Sequence, residues 1–166
     1  MGESSANKDE SGRFLIDQML MRLGRWLRLM GLDVANPPEG DDKRLIELAL
    51  RDKRTLITRD RMLTDMSKRS GANFILIKSS HLDDQLREIS TYGIKLEINP
   101  KRCTTCNGTL FALNPKDALS PDLKEQISHL DQSKPIWICR ECQKIYWEGS
   151  HWKKIKEKLE EIIEIK

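Results

Sequence analysis

The stretch Phe14-Leu-Ile-Asp-Gln-Met-Leu-Met-Arg-Leu-Gly-Arg-Trp-Leu-Arg-Leu-Met-Gly31 sets the pattern on which the rest of the chain is built. Phe14 to Ile16 form an apolar run that stops at Asp17, as a short buried strand does. Met19, Leu20, Leu23, Leu27 and Met30 then recur at helical spacing, and Gly31 supplies a stop. Strand followed by helix then repeats. Residues 32–34 read as a second strand, and Asn36-Pro-Pro-Glu-Gly40 as a loop. Asp42, the expected N-cap, leads into a helix carrying Leu45, Ile46, Leu48, Ala49 and Leu50. Residues 55–58 and 74–77 read as strands, each followed by a helix, over 62–69 and 81–91. Continuous apolar runs suit strands covered on both faces. The expected fold class is therefore α/β, a sandwich with a mainly parallel sheet.

Right-handed crossovers gather the C-terminal ends of such strands, and the N-termini of the following helices, along one edge where ligands bind. Asp17, Asp42 with its neighbour Asp41, and Asp60 all fall there. Each taken alone is an ordinary helix-capping residue. Together they repel one another unless a cation sits between them. Hard oxygen donors suit Mg²⁺ or Mn²⁺, ions that activate water against a phosphodiester. Asp65 reads as a solvated helix residue, and Asp83 and Asp84 as the start of a solvent-facing helix.

Arg22, Arg25 and Arg28 follow one another at intervals of three on the first helix, with Arg13 upstream, and Arg59 and Arg61 flank Asp60. A basic rim around an acidic centre suits a polyanion; the plainer alternative is solvated surface charge. Trp26 reads as core.

The chain has 166 residues, with 29 Lys+Arg against 26 Asp+Glu and a net charge of +3. That balance does not announce nucleic-acid binding; the distribution of charge has to decide. No apolar run is long enough to span a bilayer, and residues 1–13 lack the apolar stretch of a signal peptide. A cytoplasmic location is expected, with no membrane association.

All four cysteines fall late, as Cys103-Thr-Thr-Cys106 and Cys139-Arg-Glu-Cys142. With no sign of export, the two pairs point to a closed structural zinc site of four thiolates rather than to disulfides or redox dithiols. Possible strands follow each pair at 108–111 and 144–147. Trp137, Tyr146, Trp147 and Trp152 supply large side chains to a small metal-dependent unit, and one exposed ring could stack on a base. His151 is a candidate contact to RNA phosphate, against a plain structural role. The tail is an amphipathic helix with Ile155, Leu159, Ile162 and Ile163 on one side, suited to packing on a domain or on a protein partner.

The opening stretch, Asp42-x-x-Leu45, Leu56-Ile-Thr-Arg-Asp-Arg61-x-Leu63, Arg102-Cys-x-x-Cys-Asn-Gly-x-Leu110 and Trp137-x-Cys-x-x-Cys-x-x-x-Tyr-Trp-x-Gly-Ser-His151 occur in unbroken order. In this combination the chain resembles the Mut7-C ribonuclease family over about residues 13–152. The resemblance implies a PIN-like three-layer nuclease domain with a zinc ribbon. It also implies metal-dependent RNA cleavage with Asp17, Asp42 and Asp60 as the ligands of Mg²⁺ or Mn²⁺, Asp41 being a substitute for Asp42. Expected boundaries are a disordered tail over 1–12, the PIN-like domain over 13–98, the ribbon over 99–152 and a terminal helix over 153–166. A catalytically inactive RNA-binding module is the rival expectation.

Overall fold

A computed structural model describes residues 12–114, 116 and 119–164. The expected N-terminal tail lies outside the described residues apart from Gly12.

Four short strands, β1 (Arg13–Ile16), β2 (Asp33–Ala35), β3 (Thr55–Thr58) and β4 (Phe74–Leu76), form a fully parallel sheet in the order β2-β1-β3-β4. They alternate with the helices α1 (Met21–Leu29), α2 (Asp42–Arg51), α3 (Arg61–Ser70) and α4 (Leu82–Ser90). A single 3-10 turn, Gln18–Leu20, joins β1 to α1.

Successive strand residues point to opposite faces, and the core divides accordingly. Phe14, Ile16, Ile57 and Ile75 pack on one face with Leu23 and Leu27 of α1 and Leu86 and Ile89 of α4. Leu15, Leu56 and Phe74 pack on the other with Leu45 and Ile46 of α2 and Leu63 of α3. Every one of these side chains is buried, so the strands show unbroken apolar runs rather than alternation. Gly24 lets α1 lie close on β1: a Cβ there would stand 3.2 Å from Ile16 Cγ1. Gly31 ends the helix at φ +84°, a conformation that favours glycine.

The four-cysteine region is a second, antiparallel sheet of β5 (Leu110–Leu113), β6 (Ile136–Cys139) and β7 (Ile145–Trp147), in that order, with the short helix α5 (Pro121–Ile127) between β5 and β6. This arrangement is consistent with a zinc ribbon. Its central strand β6 and helix α5 were not expected from the sequence. Ile136-Trp-Ile-Cys139 runs directly into the second cysteine pair, and only its partners on either side mark it as a strand.

The chain then returns to the first unit. Helix α6 (Ser150–Glu164) starts at Ser150, inside the range expected for the ribbon, and lays Leu159 and Ile162 into the core beside α4. Lys158 Nζ pairs with Asp83 at 2.7 Å. Ile155, Leu159 and Ile162 of the tail helix are therefore covered by its own domain, whereas Ile163, expected on the same side, is exposed, and the ribbon is an insertion between α4 and α6. Asp83 and Asp84 open a helix whose other face, with Leu82, Leu86 and Ile89, is core rather than solvent.

Candidate functional site

Asp17 leaves β1 and is 8% exposed. Its Oδ2 accepts a hydrogen bond from the Thr58 hydroxyl at 2.7 Å, and Thr58 Oγ1 in turn accepts from the Asp60 amide at 3.0 Å. Thr58, fully buried at the end of β3, thus ties the first acid to the third. Sequence reading missed it; the available signal was a hydroxyl closing an apolar strand directly before Arg-Asp. Asp60 caps α3, its Oδ1 accepting from the amides of Met62 at 2.8 Å and Leu63 at 3.4 Å.

The N-cap of α2 is Asp41, not the expected Asp42: Asp41 Oδ1 accepts from the Arg44 amide at 3.1 Å. Asp42, one residue into the helix, is thereby left without a capping bond. A cleft of about 370 Å³ is lined by Asp17, Asp41, Asp42 and the 37–40 loop. Partial burial, then the neighbouring carboxylates of Asp60, Asp17 and Asp41, push the Asp42 carboxyl above its ordinary range. Among the described residues none of Asp17, Asp42 and Asp60 is in an ion pair. The three carboxylates share one field but do not form a tight ligand cluster.

The arginines divide. Arg22, Arg25 and Arg61 are exposed and Arg59 half-buried. Arg28, placed with them by its spacing, is 1% exposed and closed to any nucleic acid. Each three-residue step on a helix falls about 60° short of a full turn, so Arg28 points about 120° away from Arg22. Its guanidinium donates to Val34 O at 2.7 Å, to Thr104 O at 3.1 Å, to Thr105 O at 3.3 Å and to Asn36 Oδ1. It is a structural bolt between sheet and ribbon. His151 is exposed at the head of α6, away from the acids' cleft and on the wall of another.

The four cysteines converge. Their Sγ atoms all lie within 4.8 Å of one another, with Cys103–Cys142 and Cys106–Cys139 each at 3.5 Å. Disulfide sulfurs stand ~2.05 Å apart. Zn–S bonds of ~2.3 Å set tetrahedral S–S edges of roughly 3.8 Å, near the observed spacing. The two knuckles repeat one backbone design. The amides of Asn107 and Gln143 each donate to the first cysteine's carbonyl at 2.9 Å, and both residues are left-handed, at φ 65° and 63°. Gly108 is forced by crowding, since a Cβ there would meet Cys139 Sγ at 2.8 Å. Burial and the neighbouring thiols push Cys106 up to about 12. At Cys103 burial acts in the same direction but is outweighed by hydrogen bonds, Tyr146 foremost, which hold it at about 6. The cluster can hold a metal ion.

Ribbon and sheet meet along the free edge of β2. Asn107 Oδ1 accepts from the Val34 amide at 2.9 Å, and Asn107 Nδ2 donates to Asp33 Oδ1 at 2.7 Å. Asp33 also pairs with Arg54 at 2.7 Å, Arg102 at 3.5 Å and Arg13 at 3.7 Å. Burial opposes ionisation there, but the bonds from Arg54 and Asn107 hold the carboxyl below its ordinary range. The ribbon thus satisfies edge groups that would otherwise offer themselves to another strand.

No described helix is long and apolar enough to cross a membrane. No curated protein matches the chain. The family model described as the Mut7-C RNAse domain matches residues 12–159, spanning both sheets and most of α6. With its parallel sheet, acidic edge and four-cysteine insertion inside that match, the chain belongs to the Mut7-C RNAse domain family.

Proposed function

We propose that this protein is a Mg²⁺- or Mn²⁺-dependent ribonuclease with a PIN-like catalytic domain, and that zinc on Cys103, Cys106, Cys139 and Cys142 holds its ribbon folded. The observation that carries the reading is the convergence of Asp17, Asp42 and Asp60 from three elements into one field with no cationic side chain paired to them. The donor set fits: carboxylate oxygens suit a hard divalent ion at the acidic edge, and thiolates suit zinc in the ribbon. Asp17, Asp42 and Asp60 would hold the divalent ion, which when bound supplies an activated water and charge stabilisation at the phosphodiester. Thr58 orients the Asp17 carboxylate by its 2.7 Å hydrogen bond, and the α3 cap orients Asp60. Exposed Arg22 and Arg61, with Arg59, position the RNA backbone.

The test is cleavage of a generic single-stranded RNA with Mn²⁺ by the parent protein and by Asp17→Asn and Asp42→Asn. Loss of a hundredfold or more, on the order seen when one preorganised charge-stabilising group is removed, is expected. Equal cutting by all three overturns the assignment. One observation favours the rival, an inactive RNA-binding module: Asp60 is committed to its helix cap and the acids do not close into a tight cluster. That reading expects RNA binding to survive both substitutions, with no divalent-dependent cutting in the parent.

A further inference from the structure

A second cleft, of about 580 Å³, lies where α1, β7 and the head of α6 meet. It is distinct from the acidic one and shares no lining residue with it. Its size is that of a small-ligand site. Most of the aromatic rings around it are engaged elsewhere. Trp152 stacks on Trp137, centroids 5.2 Å apart and planes 8° from parallel. The Tyr146 hydroxyl bonds Cys103 Sγ and the Thr104 amide, both at 3.1 Å. Trp147 differs: its residue is 46% exposed on the last ribbon strand. Large exposed apolar surface beside a concavity marks a binding site more often than a core.

The charges point to the ligand. Arg25, Lys144 and His151 line the cleft, and no carboxylate does, in a chain with 26 acidic residues. Arg25 and Lys144 are exposed, and among the described residues neither is in an ion pair; Lys144 Nζ donates to Thr105 Oγ1 at 3.1 Å and stands 5.5 Å from the Tyr146 ring centroid, which fixes its charge at the cleft wall. A half-exposed ring flanked by cations with no carboxylate partner is the constellation that binds single-stranded nucleic acid, bases stacking on the ring and phosphates meeting the cations. A duplex offers no free base face to such a ring.

We propose that this cleft is a base-binding subsite, in which an unpaired RNA base stacks on Trp147 while flanking phosphates meet Arg25 and Lys144. The proposal rests on the ribonuclease reading for the identity of the nucleic acid. Arg25 lies on the second turn of α1, and the single 3-10 turn Gln18–Leu20 joins that helix to Asp17, so a cation of this cleft and the first acid sit on one continuous segment.

The experiment uses the full-length, zinc-loaded chain carrying Asp42→Asn, without Mg²⁺ or Mn²⁺. Binding of a labelled single-stranded RNA decamer and of a blunt RNA duplex is measured by fluorescence anisotropy. Adding Trp147→Ala should weaken single-strand binding about tenfold or more while leaving duplex binding unchanged, and Trp147→Phe should restore most of it. Zinc content equal to that of the parent shows that the ribbon is intact. Unchanged single-strand binding overturns the proposal, as does an equal loss on duplex. A surface for a protein partner would give the first of these results. Cutting by the unsubstituted acids is read separately, so its absence would sink the ribonuclease reading and leave this binding comparison standing.

Discussion

Asp33 and Asp42 serve opposite edges of one parallel sheet, and their surroundings are opposite too. At the edge where β1, β2 and β3 begin, Asp33 receives Arg13, Arg54, Arg102 and Asn107, and its carboxyl is held low. At the edge where β1 and β3 end, Asp42 faces Asp17, Asp41 and Asp60, and its carboxyl is pushed high. One edge neutralises its charge internally and uses it to seat the ribbon. The other leaves its charge open to a ligand. A carboxylate near cations argues for architecture, and carboxylates near each other argue for function.

The most severe way to break this contrast is to deprive the four cysteines of the zinc proposed for them. Chelation, or Cys103→Ser, should unfold the ribbon, because structural zinc contributes on the order of 10 kcal/mol to such small units. Hydrogen exchange should then show lost protection through β5–β7 and at the Val34 amide, which Asn107 covers. The Asp17 amide, bonded to Ile57 O, should keep its protection. Protection of the ribbon unchanged after verified metal loss would refute the site.

A smaller effect is expected at the neutralised edge. Asp33→Ala strands the Arg54 guanidinium, whose side chain is 10% exposed, and should cost about 3 kcal/mol in urea unfolding. Because Asp33 titrates below its unfolded value, its contribution is present above the ordinary carboxylate range near pH 4 and disappears as pH falls through the depressed value. Parent and variant should therefore converge in stability under acid. A gap that persists there would count against the electrostatic account.

The smallest effect has the opposite sign. Asp42→Asn relieves repulsion and should leave stability unchanged or raise it, within about 0.5 kcal/mol. A folded pKa above the unfolded one means that Asp42 weakens the fold as pH rises through that window, so the variant's advantage should appear only above it. Mn²⁺ should raise the melting temperature of the parent and do so less for the variant. A variant clearly less stable than the parent at neutral pH would show that the two edges do not differ in kind.

Much of the architecture is legible along the chain. The four apolar runs and their helices emerge within a residue or two of their expected places, because each depends on local periodicity and a local stop such as Gly31 or Gly71. The ribbon is less legible. β6 exists because β5 and β7 lie on either side of it, and Asn107 and Gln143 adopt a left-handed backbone that the knuckle imposes. Tyr92, in the turn after α4, and Ile94, Leu96 and Ile98 beyond it pack on the main core without joining a sheet, contacts that no local periodicity of a helix announces.

Among the site residues, the sequence by itself determined the four thiols as one set and the acids as members of one edge. Cysteine spacing and crossover handedness are local rules that hold before any packing is known. Only the tertiary structure separated Arg28 from Arg22 and Arg25 and turned the tail helix back onto its own domain. Each of those outcomes turns on what lies across from a side chain. For Arg28 that is a pair of carbonyls 76 and 77 residues away, a distance over which one-dimensional periodicity carries no information.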